Sequence, residues 1–238
     1  IITASAGTSN VRVGVNAGMD IASGGNNNVV VGDGAGTDIS TGDDNVAIGY
    51  RALYKEDAHG LNTAVGSQAL FNLNAGANSY TTGVGYLAGT GLTTGVRNTL
   101  MGAQAGGSLT DADYNAALGT FALTTDTLGS RSTAIGYTAL YTQNFTTATD
   151  SYNTAVGYAA GTAVTTGVQN TIIGGLAGDA FTDADYNVAV GVNALTEDTL
   201  GSRSTAIGLG ALATQNFTTA TDTYNTAIGF QAGTAVTT

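Results

Sequence analysis

The sequence predicts an all-β fold, a parallel β-solenoid or β-roll of about 13 rungs with 17 to 21 residues in each rung. A rung is one full turn of the coiled chain. Three observations predict this fold: a short motif recurs at nearly constant spacing, the motif is rich in β-forming residues, and the chain contains no proline. Because such proteins grow by stacking one unit on the next, the length of 238 residues does not indicate a number of globular domains.

The recurring motif reads Asn-Thr-Ala-Val/Ile-Gly, as in 62–66, 153–157 and 225–229. A longer period lies on top of it, since 86–157 and 158–229 are blocks of equal length, each with three short rungs followed by a long one. This pattern indicates a duplicated four-rung block within one repetitive segment that spans 1–238. The motif glycines are Gly14, Gly32, Gly49, Gly66, Gly85, Gly102, Gly119, Gly136, Gly157, Gly174, Gly191, Gly208 and Gly229.

Each motif is predicted to form a short strand, because its β-branched residues are bounded by Asn and Gly. Side chains alternate between the two faces of a strand, so the Thr and the Val or Ile share one face and the Ala takes the other. The small Ala predicts a second backbone layer close behind the strand. The Ala-Leu or Ala-Gly pair that follows, as in 69–70 and 88–89, predicts a second short strand on the return side of a flattened coil.

Stacking of the rungs predicts roles for the invariant parts of the motif. The Asn residues fall in register and can form a ladder of side-chain amides. The Gly residues suit a tight corner or a positive φ, where a Cβ atom is unfavourable. Proline is absent because each strand N–H bonds to the neighbouring rung. The last repeat stops at Thr238 partway through its pattern, so we expect a segment of a longer protein.

Composition excludes several classes of partner and site. The 17 acidic and 6 basic residues give a net charge of −11, which disfavours nucleic acid and anionic membrane surfaces. No apolar run approaches the roughly 18 residues of a membrane span, so no membrane insertion is expected. The chain has no Cys, which excludes disulfides and thiolate metal sites.

We expect no catalytic, cofactor-binding or metal-binding residues. His59 is the single His, so no His-based triad can form within the chain. The acidic pairs at 111/113 and 183/185 provide too few oxygens for an ordinary calcium site, although a weak site shared between rungs stays open. A column of motif Thr residues suggests an ice-binding face, but burial together with the Val and Ile residues explains this column better.

Two features indicate where partners would bind. The first is a stripe of Val, Ile and Leu residues that a single flattened coil would leave exposed, which predicts packing of three chains about one axis. It comprises Val30, Val46, Ile48, Val65, Leu100, Ile135, Ile172 and Ile207. The second is the extra length in two rungs, at 141–152 and 213–224, which carries Phe145 or Phe217. These stretches are either protruding loops or turn variants with the Phe tucked against the coil.

The string Asn-Thr-Ala-Val/Ile-Gly-Tyr-x-Ala-Leu/Gly, as in 153–161 and with small changes in 132–140 and 225–233, resembles two groups of proteins. One is the repetitive shaft of phage tail fibres, and the other is the head of YadA-like trimeric autotransporter adhesins, a left-handed parallel β-roll. Both groups are homotrimers outside the cell, so the resemblance implies an intertwined or side-by-side homotrimeric fibre. Rungs longer than the usual adhesin repeat favour the fibre group.

We therefore expect a non-enzymatic structural segment of a trimeric extracellular fibre, namely a phage tail fibre that supports host attachment. A bacterial surface adhesin head of the trimeric autotransporter type and a self-assembling secreted filament are the alternatives. The expected partners are further copies of the same chain and a host cell-surface glycan or protein receptor. The expected location is extracellular, on a virion tail fibre or a bacterial cell surface.

Overall fold

The structure, a computed structural model, describes residues 6–238. Within this range there are only strands, turns and bends, and thirteen three-residue strands join in one parallel sheet. The predicted all-β parallel solenoid of about 13 rungs is thereby confirmed. The described chain divides into two compact units, of which unit 1 ends at Asn115 and unit 2 begins at Ala116.

Each rung contributes one main strand, and neighbours in the sheet are neighbours in the repeat. In unit 1 the main strands are β1 (Val11–Val13), β2 (Val29–Val31), β3 (Val46–Ile48), β4 (Thr63–Val65), β5 (Thr82–Val84) and β6 (Thr99–Met101). In unit 2 they are β7 (Ala116–Leu118), β9 (Thr133–Ile135), β11 (Thr154–Val156), β12 (Thr171–Ile173), β13 (Val188–Val190), β15 (Thr205–Ile207) and β17 (Thr226–Ile228). Four two-residue strands, also in unit 2, form two small parallel pairs, β8 (Gly129–Ser130) with β10 (Thr149–Asp150), and β14 (Gly201–Ser202) with β16 (Thr221–Asp222).

The register between neighbouring strands is uniform, so equivalent motif residues lie opposite one another. Ala155, for example, lies opposite Ala134 on one side and Ile172 on the other. The backbone amide of Asn170 donates to Asn153 Oδ1 at 2.9 Å, and Asn170 Nδ2 donates to the Ala184 carbonyl at 2.7 Å. The predicted Asn column is therefore present, but its side chains bond mainly to backbone groups rather than stacking as an amide-to-amide ladder.

The central residue of each main strand points into the coil, and the residues on either side of it point outward. Val30, Leu100 and Ile172 occupy the central position and are fully buried. Their assignment to the exposed stripe was wrong, and so was the expectation that this position always holds a small Ala.

In most rungs the size of the central residue is matched by that of the residue six positions later on the return side. Ala134 is paired with Leu140, whereas Leu100 is paired with Gly106. A Cβ atom on Gly106 would approach Leu100 Cδ2 to 2.7 Å, so a larger residue at both positions would not fit. In these rungs the alternation of Ala-Leu and Ala-Gly after the motif balances the core volume, as close-packed interiors require. Where both positions are small, as at Ala155 and Gly161, large residues of the neighbouring rungs such as Leu140 and Ile172 lie beside the glycine.

The return side consists of turns, so the predicted second strand there is wrong. Leu70 and Leu140 adopt left-handed backbone conformations, with φ of 52° and 50°. Rung-to-rung bonding continues through these turns, as where the Leu70 amide donates to the Ala88 carbonyl at 2.9 Å. Outside the main sheet, short strands pair only at β8–β10 and β14–β16 within the described residues, and these strands lie shortly before the next motif rather than at the Ala-Leu turn.

The motif glycines form a corner that only glycine fits. Gly157 has φ of 142°, and a Cβ atom there would lie 2.5 Å from the carbonyl oxygen of Gly174 in the next rung. The predicted positive φ is confirmed, and the close approach of one backbone to the next adds a second reason for glycine.

Candidate functional site

The largest uniform surface of the molecule is the outward side of the main strands, which we call the outer face. In each rung it comprises the residue before the motif Asn or its Ser replacement, the first and third strand residues, and the residue after the motif Gly. In one rung of unit 2 these are Tyr152, Thr154, Val156 and Tyr158. All four are half-buried or exposed, whereas Asn153 and Ala155 between them are buried.

The third strand residue and the residue after the motif Gly form an apolar stripe along the outer face. In unit 2 the rings of Tyr137 and Tyr158 stack with centroids 5.7 Å apart. A contiguous stripe of this kind exceeds the scattered apolar residues that a soluble surface normally shows. Its exposed members in unit 1 are Val13, Val15, Ile48, Tyr50, Tyr86 and Met101, and in unit 2 they are Ile135, Tyr137, Tyr158, Ile173, Val192, Ile207, Leu209, Ile228 and Phe230.

The prediction of an exposed stripe is thus correct for part of its members. Ile48, Ile135 and Ile207 are exposed, and Val65 is half-buried. The motif Thr residues share this outer face, where Thr154 is half-buried and Thr99 is exposed. Burial within a single chain therefore does not explain the Thr column, contrary to expectation.

From the fifth rung onward, the residue before the motif Asn forms a second column on the outer face, in which Tyr alternates with Arg or, in one rung, with Gln169. We call it the Arg–Tyr column. In unit 1 the guanidinium of Arg97 lies 5.8 Å from the ring centre of Tyr80 and 5.4 Å from that of Tyr114. In unit 2 that of Arg203 lies 4.6 Å from Tyr186 and 6.0 Å from Tyr224. Such contacts contribute about 0.5–1 kcal/mol each at exposed sites.

The sequence alone did not predict this column. Arg97, Arg131 and Arg203 are far apart in sequence, yet each takes the same position before the motif Asn or Ser. Aligning the residues that precede the motif would have revealed the alternation, since residues one rung apart are neighbours in a solenoid.

At the two long rungs the Arg–Tyr column is tied to an Asp. Arg131 Nε lies 3.0 Å from Asp150 Oδ2, and Arg203 Nε lies 3.0 Å from Asp222 Oδ1. The hydroxyl of Tyr152 donates to Asp150 Oδ2 at 3.4 Å. These side chains are about half exposed, so the pairs add little stability on their own.

Of the four additional residues in the first long rung, three form an exposed tip and one is buried. Thr149 pairs with Gly129, so residues 146–148 are the insertion relative to the rung before, and they are exposed. The fourth additional residue, Ser151, is buried, and Phe145 is only 6 % exposed. Phe217 is half-buried in the second copy. The protruding-loop interpretation therefore holds only for the tips 146–148 and 218–220, and Phe145 is tucked against the coil.

A buried polar cluster underlies each long rung. Asp126 is fully buried, and its Oδ1 accepts the amides of Gly129 and Phe145, both at 3.0 Å. Its Oδ2 accepts Gln143 Nε2 at 2.6 Å, and Gln143 Oε1 accepts Asn153 Nδ2 at 2.9 Å. Asp198 and Gln215 repeat the arrangement in the second four-rung block. No sequence signal was assigned to these residues, because their shared position is visible only once the rungs are superposed.

The acidic turn residues bond to the rung before them. Asp111 Oδ1 accepts the hydroxyl of Thr94 at 2.6 Å, and Asp113 Oδ1 accepts the amide of Val96 at 2.7 Å. Asp183 and Asp185 bond in the same way to Thr166 and Val168. Across residues 6–238, no group of three or more His, Cys, Asp and Glu side chains could hold a metal ion. These carboxylates act as turn caps.

His59 lies in the turn after β3 and faces a buried acid, Glu56. Burial of the carboxyl is the main cause that raises the pKa of Glu56, to about 7. The neighbouring carboxylate of Asp57 adds to the rise, and the backbone amides of His59 and Asp57 counter part of it.

In the described part of the chain, no helix is long and apolar enough to cross a membrane. Comparison of the sequence and structure with protein-family models, curated proteins and solved structures yielded no match.

Proposed function

We propose that this chain is a structural segment of a homotrimeric extracellular fibre, in the role of a phage tail-fibre shaft that supports attachment to a host cell. The observation that carries the proposal is the apolar stripe on the outer face. In unit 2 it presents large side chains such as Ile135, Tyr158 and Ile207, which a single chain leaves in contact with water. Burial of apolar area at roughly 25 cal/mol per Å² favours covering such a stripe with a partner.

Another copy of the same chain is the partner that fits the stripe best. Its side chains recur once per rung, so a copy packed in parallel offers matching side chains at every rung. Three copies about one axis turn every stripe inward, and a closed cyclic arrangement leaves no stripe over to recruit more chains. The acidic net charge of −11 then lies on the outside of the assembly, which favours solubility.

The shaft role is also supported by the repetitive design. A solenoid gains length by adding rungs, and each rung bonds only to its neighbours. The Asn-Thr-Ala-Val/Ile-Gly-Tyr-x-Ala-Leu/Gly string that fills these rungs resembles the repeats of fibre shafts. Its rungs, which are longer than the usual adhesin repeat, favour a fibre over an adhesin head.

Immunogold electron microscopy tests the role, with antibodies raised against the purified chain and applied to cells, culture supernatant and virions of the source. Gold on the fibres of phage particles is the expected result. Gold on the bacterial surface would instead establish the adhesin alternative. Gold on free filaments in the supernatant would establish the secreted filament, and either of these results would overturn the tail-fibre role.

A further inference from the structure

In every rung, the residue eleven positions after the motif Asn points into the core. These residues lie above one another in successive rungs and form one column of the core. In unit 1 this position is filled by aliphatic residues in all but one of its rungs, and each is buried. The exception is Glu56, which is 0 % exposed and stands between Ile39 of the rung before and Leu73 of the rung after. An ionisable side chain in such an apolar column is costly unless it is bonded or neutral.

Glu56 lacks the bonds that would compensate for its burial. Its one side-chain hydrogen bond is long, from Asn62 Nδ2 to Oε2 at 3.4 Å, and the backbone amides of His59 and Asp57 offset the rise in its pKa only in part. Its Oε1 has no hydrogen-bond partner, and the same is true of the buried Nδ1 atom of His59. These two atoms face each other at 3.8 Å. A carboxylate oxygen can only accept, and Nδ1 of a neutral His donates in one tautomer and accepts in the other, so a proton on Glu56 gives the facing atoms a donor whichever tautomer His59 adopts.

The charged side chains around Glu56 do not compensate for a negative charge on its carboxyl group. Within the same turn the charged neighbours are Lys55 and Asp57, and the Asp57 carboxylate disfavours a second negative charge on Glu56. The rung before contributes Asp38, Asp43 and Asp44, all acidic. The rung after contributes no ionisable side chain between residues 71 and 79. Lys55 is therefore the one nearby cation other than a protonated His59.

The turn that carries the pair is hydrogen-bonded to both neighbouring rungs, for instance through the Ser40 amide, which donates to the Asp57 carbonyl at 2.8 Å. The Lys55 amide donates to the Phe71 carbonyl at 3.2 Å, and the Leu61 amide donates to the Asp43 carbonyl at 3.1 Å. The His59 carbonyl accepts Asn45 Nδ2 at 3.2 Å. His59 itself is 30 % exposed, so solvent protons reach the pair without unfolding of the rung.

We propose that Glu56 and His59 form a proton-operated latch, which holds the turn 54–62 against the core of unit 1 when a proton is bound and releases it when the proton leaves. The inference concerns the single chain and does not depend on the fibre role. The physical reason is that an ionised Glu56 is a charge in an aliphatic column with one side-chain hydrogen bond, 3.4 Å long, whereas protonation of Glu56 removes that charge. Release consists of local opening that lets water reach the carboxylate.

The direction of the pH dependence follows from the raised pKa of Glu56. A carboxyl whose pKa is higher in the folded chain stabilises the fold fully below its ordinary value of 4.5. That contribution is lost as the pH rises through about 7. The turn is therefore closed in acid and loosened at alkaline pH.

Hydrogen–deuterium exchange on the full chain at pH 5.5, 7.0 and 8.5 tests the latch, after correction for intrinsic base-catalysed exchange. In the parent chain we expect the protection of the Lys55 and Leu61 amides to fall at least tenfold from pH 5.5 to 8.5. In the Glu56→Leu variant we expect the protection to stay constant, since Ile39 and Leu73 show that the column accepts aliphatic residues. Glu56→Gln is a second, nearly isosteric variant with no titrating group.

Two results would overturn the latch. One is a parent chain whose turn shows the same corrected protection at all three pH values. The other is a loss of protection between pH 5.5 and 8.5 in both variants that equals the loss in the parent chain. The group that titrates would then be a residue other than Glu56. Amides of the equivalent turn in the next rung, such as Leu73 and Asn74, are the internal reference and should not respond.

Discussion

The same core column holds a buried acid in both units, but the acids are bonded differently. In unit 2 Asp126 takes three hydrogen bonds, one of them from Gln143 in the same column one rung later. In unit 1 Glu56 has Leu73 at that place and takes a single long side-chain bond. The comparison indicates that a buried carboxylate in a solenoid core is well bonded where the next rung supplies hydrogen-bond donors.

The length of the rung that follows contributes to this difference. The rung after Asp126 is long, and its chain path brings the Phe145 amide onto Asp126 Oδ1 at 3.0 Å. Its buried extra residue, Ser151, bonds to the Ser130 carbonyl in the rung before. Three of the four additional residues of this rung thus form the exposed tip, and the fourth adds a polar bond within the core.

The largest effect should come from replacing the bonded acid. We expect Asp126→Leu to lower the free energy of unfolding by about 3–5 kcal/mol, because the amides of Gly129 and Phe145 and the Gln143 side chain all lose a charged acceptor. Urea denaturation measures the change. The matched substitution Glu56→Leu should be neutral or stabilising by about 1 kcal/mol, since it removes a poorly bonded carboxyl. An equal decrease in the free energy of unfolding in both variants would contradict the proposed difference between the two buried acids.

A second prediction concerns the corner that gives both units the same backbone path. Gly157→Val should cost about 3 kcal/mol, because a side chain there combines an unfavourable positive φ with a backbone oxygen 2.5 Å away. Gly76→Ala is the control, since its φ of 68° is also positive but a Cβ atom meets nothing within 4 Å. Thermal melting of both variants checks the prediction. A similar melting temperature for Gly157→Val and the parent would mean that the corner tolerates a side chain.

The smallest effect is expected from shortening a long rung. Removing residues 146–148 joins Phe145 directly to Thr149. The equivalent residues of the rung before, Leu128 and Gly129, are also adjacent. The deletion leaves the hydrogen bonds of Asp126 intact. We expect the free energy of unfolding to change by no more than about 0.5–1 kcal/mol, because exposed tips tolerate deletion. Removing Ser151 as well should cost clearly more. If the three-residue deletion alone collapsed the fold, the exposed tip would have to be part of the core.

The repeat period and motif composition were enough to predict the fold, because Asn, β-branched residues and Gly recur at fixed places in every rung. It was harder to predict which residues of each strand point into the core and which point outward. Val30, Leu100 and Ile172 are large apolar residues like those of the exposed stripe. Only their central position in the strand shows that they point inward. Their size is explained by a glycine six positions later, a compensation that no single motif copy reveals.

The polar features of the molecule were harder to predict from sequence. Asp126, Gln143 and Glu56 appear as ordinary polar residues in variable stretches, and their burial follows from a shared distance to the motif Asn. The Arg–Tyr column depends likewise on contacts between successive rungs, as between Arg203 and Tyr186. In a solenoid these contacts become visible only after the rungs have been aligned on their motif.

The central claim, that copies of the chain cover the apolar stripe in a homotrimer, is tested most directly by light scattering at micromolar concentration. We predict a mass of three times 23.5 kDa for the parent chain. The double variant Ile135→Asp/Ile207→Asp should dissociate while keeping the parent circular dichroism, and Thr147→Asp, at an exposed tip, should remain trimeric. A parent chain that stays at 23.5 kDa would contradict the claim.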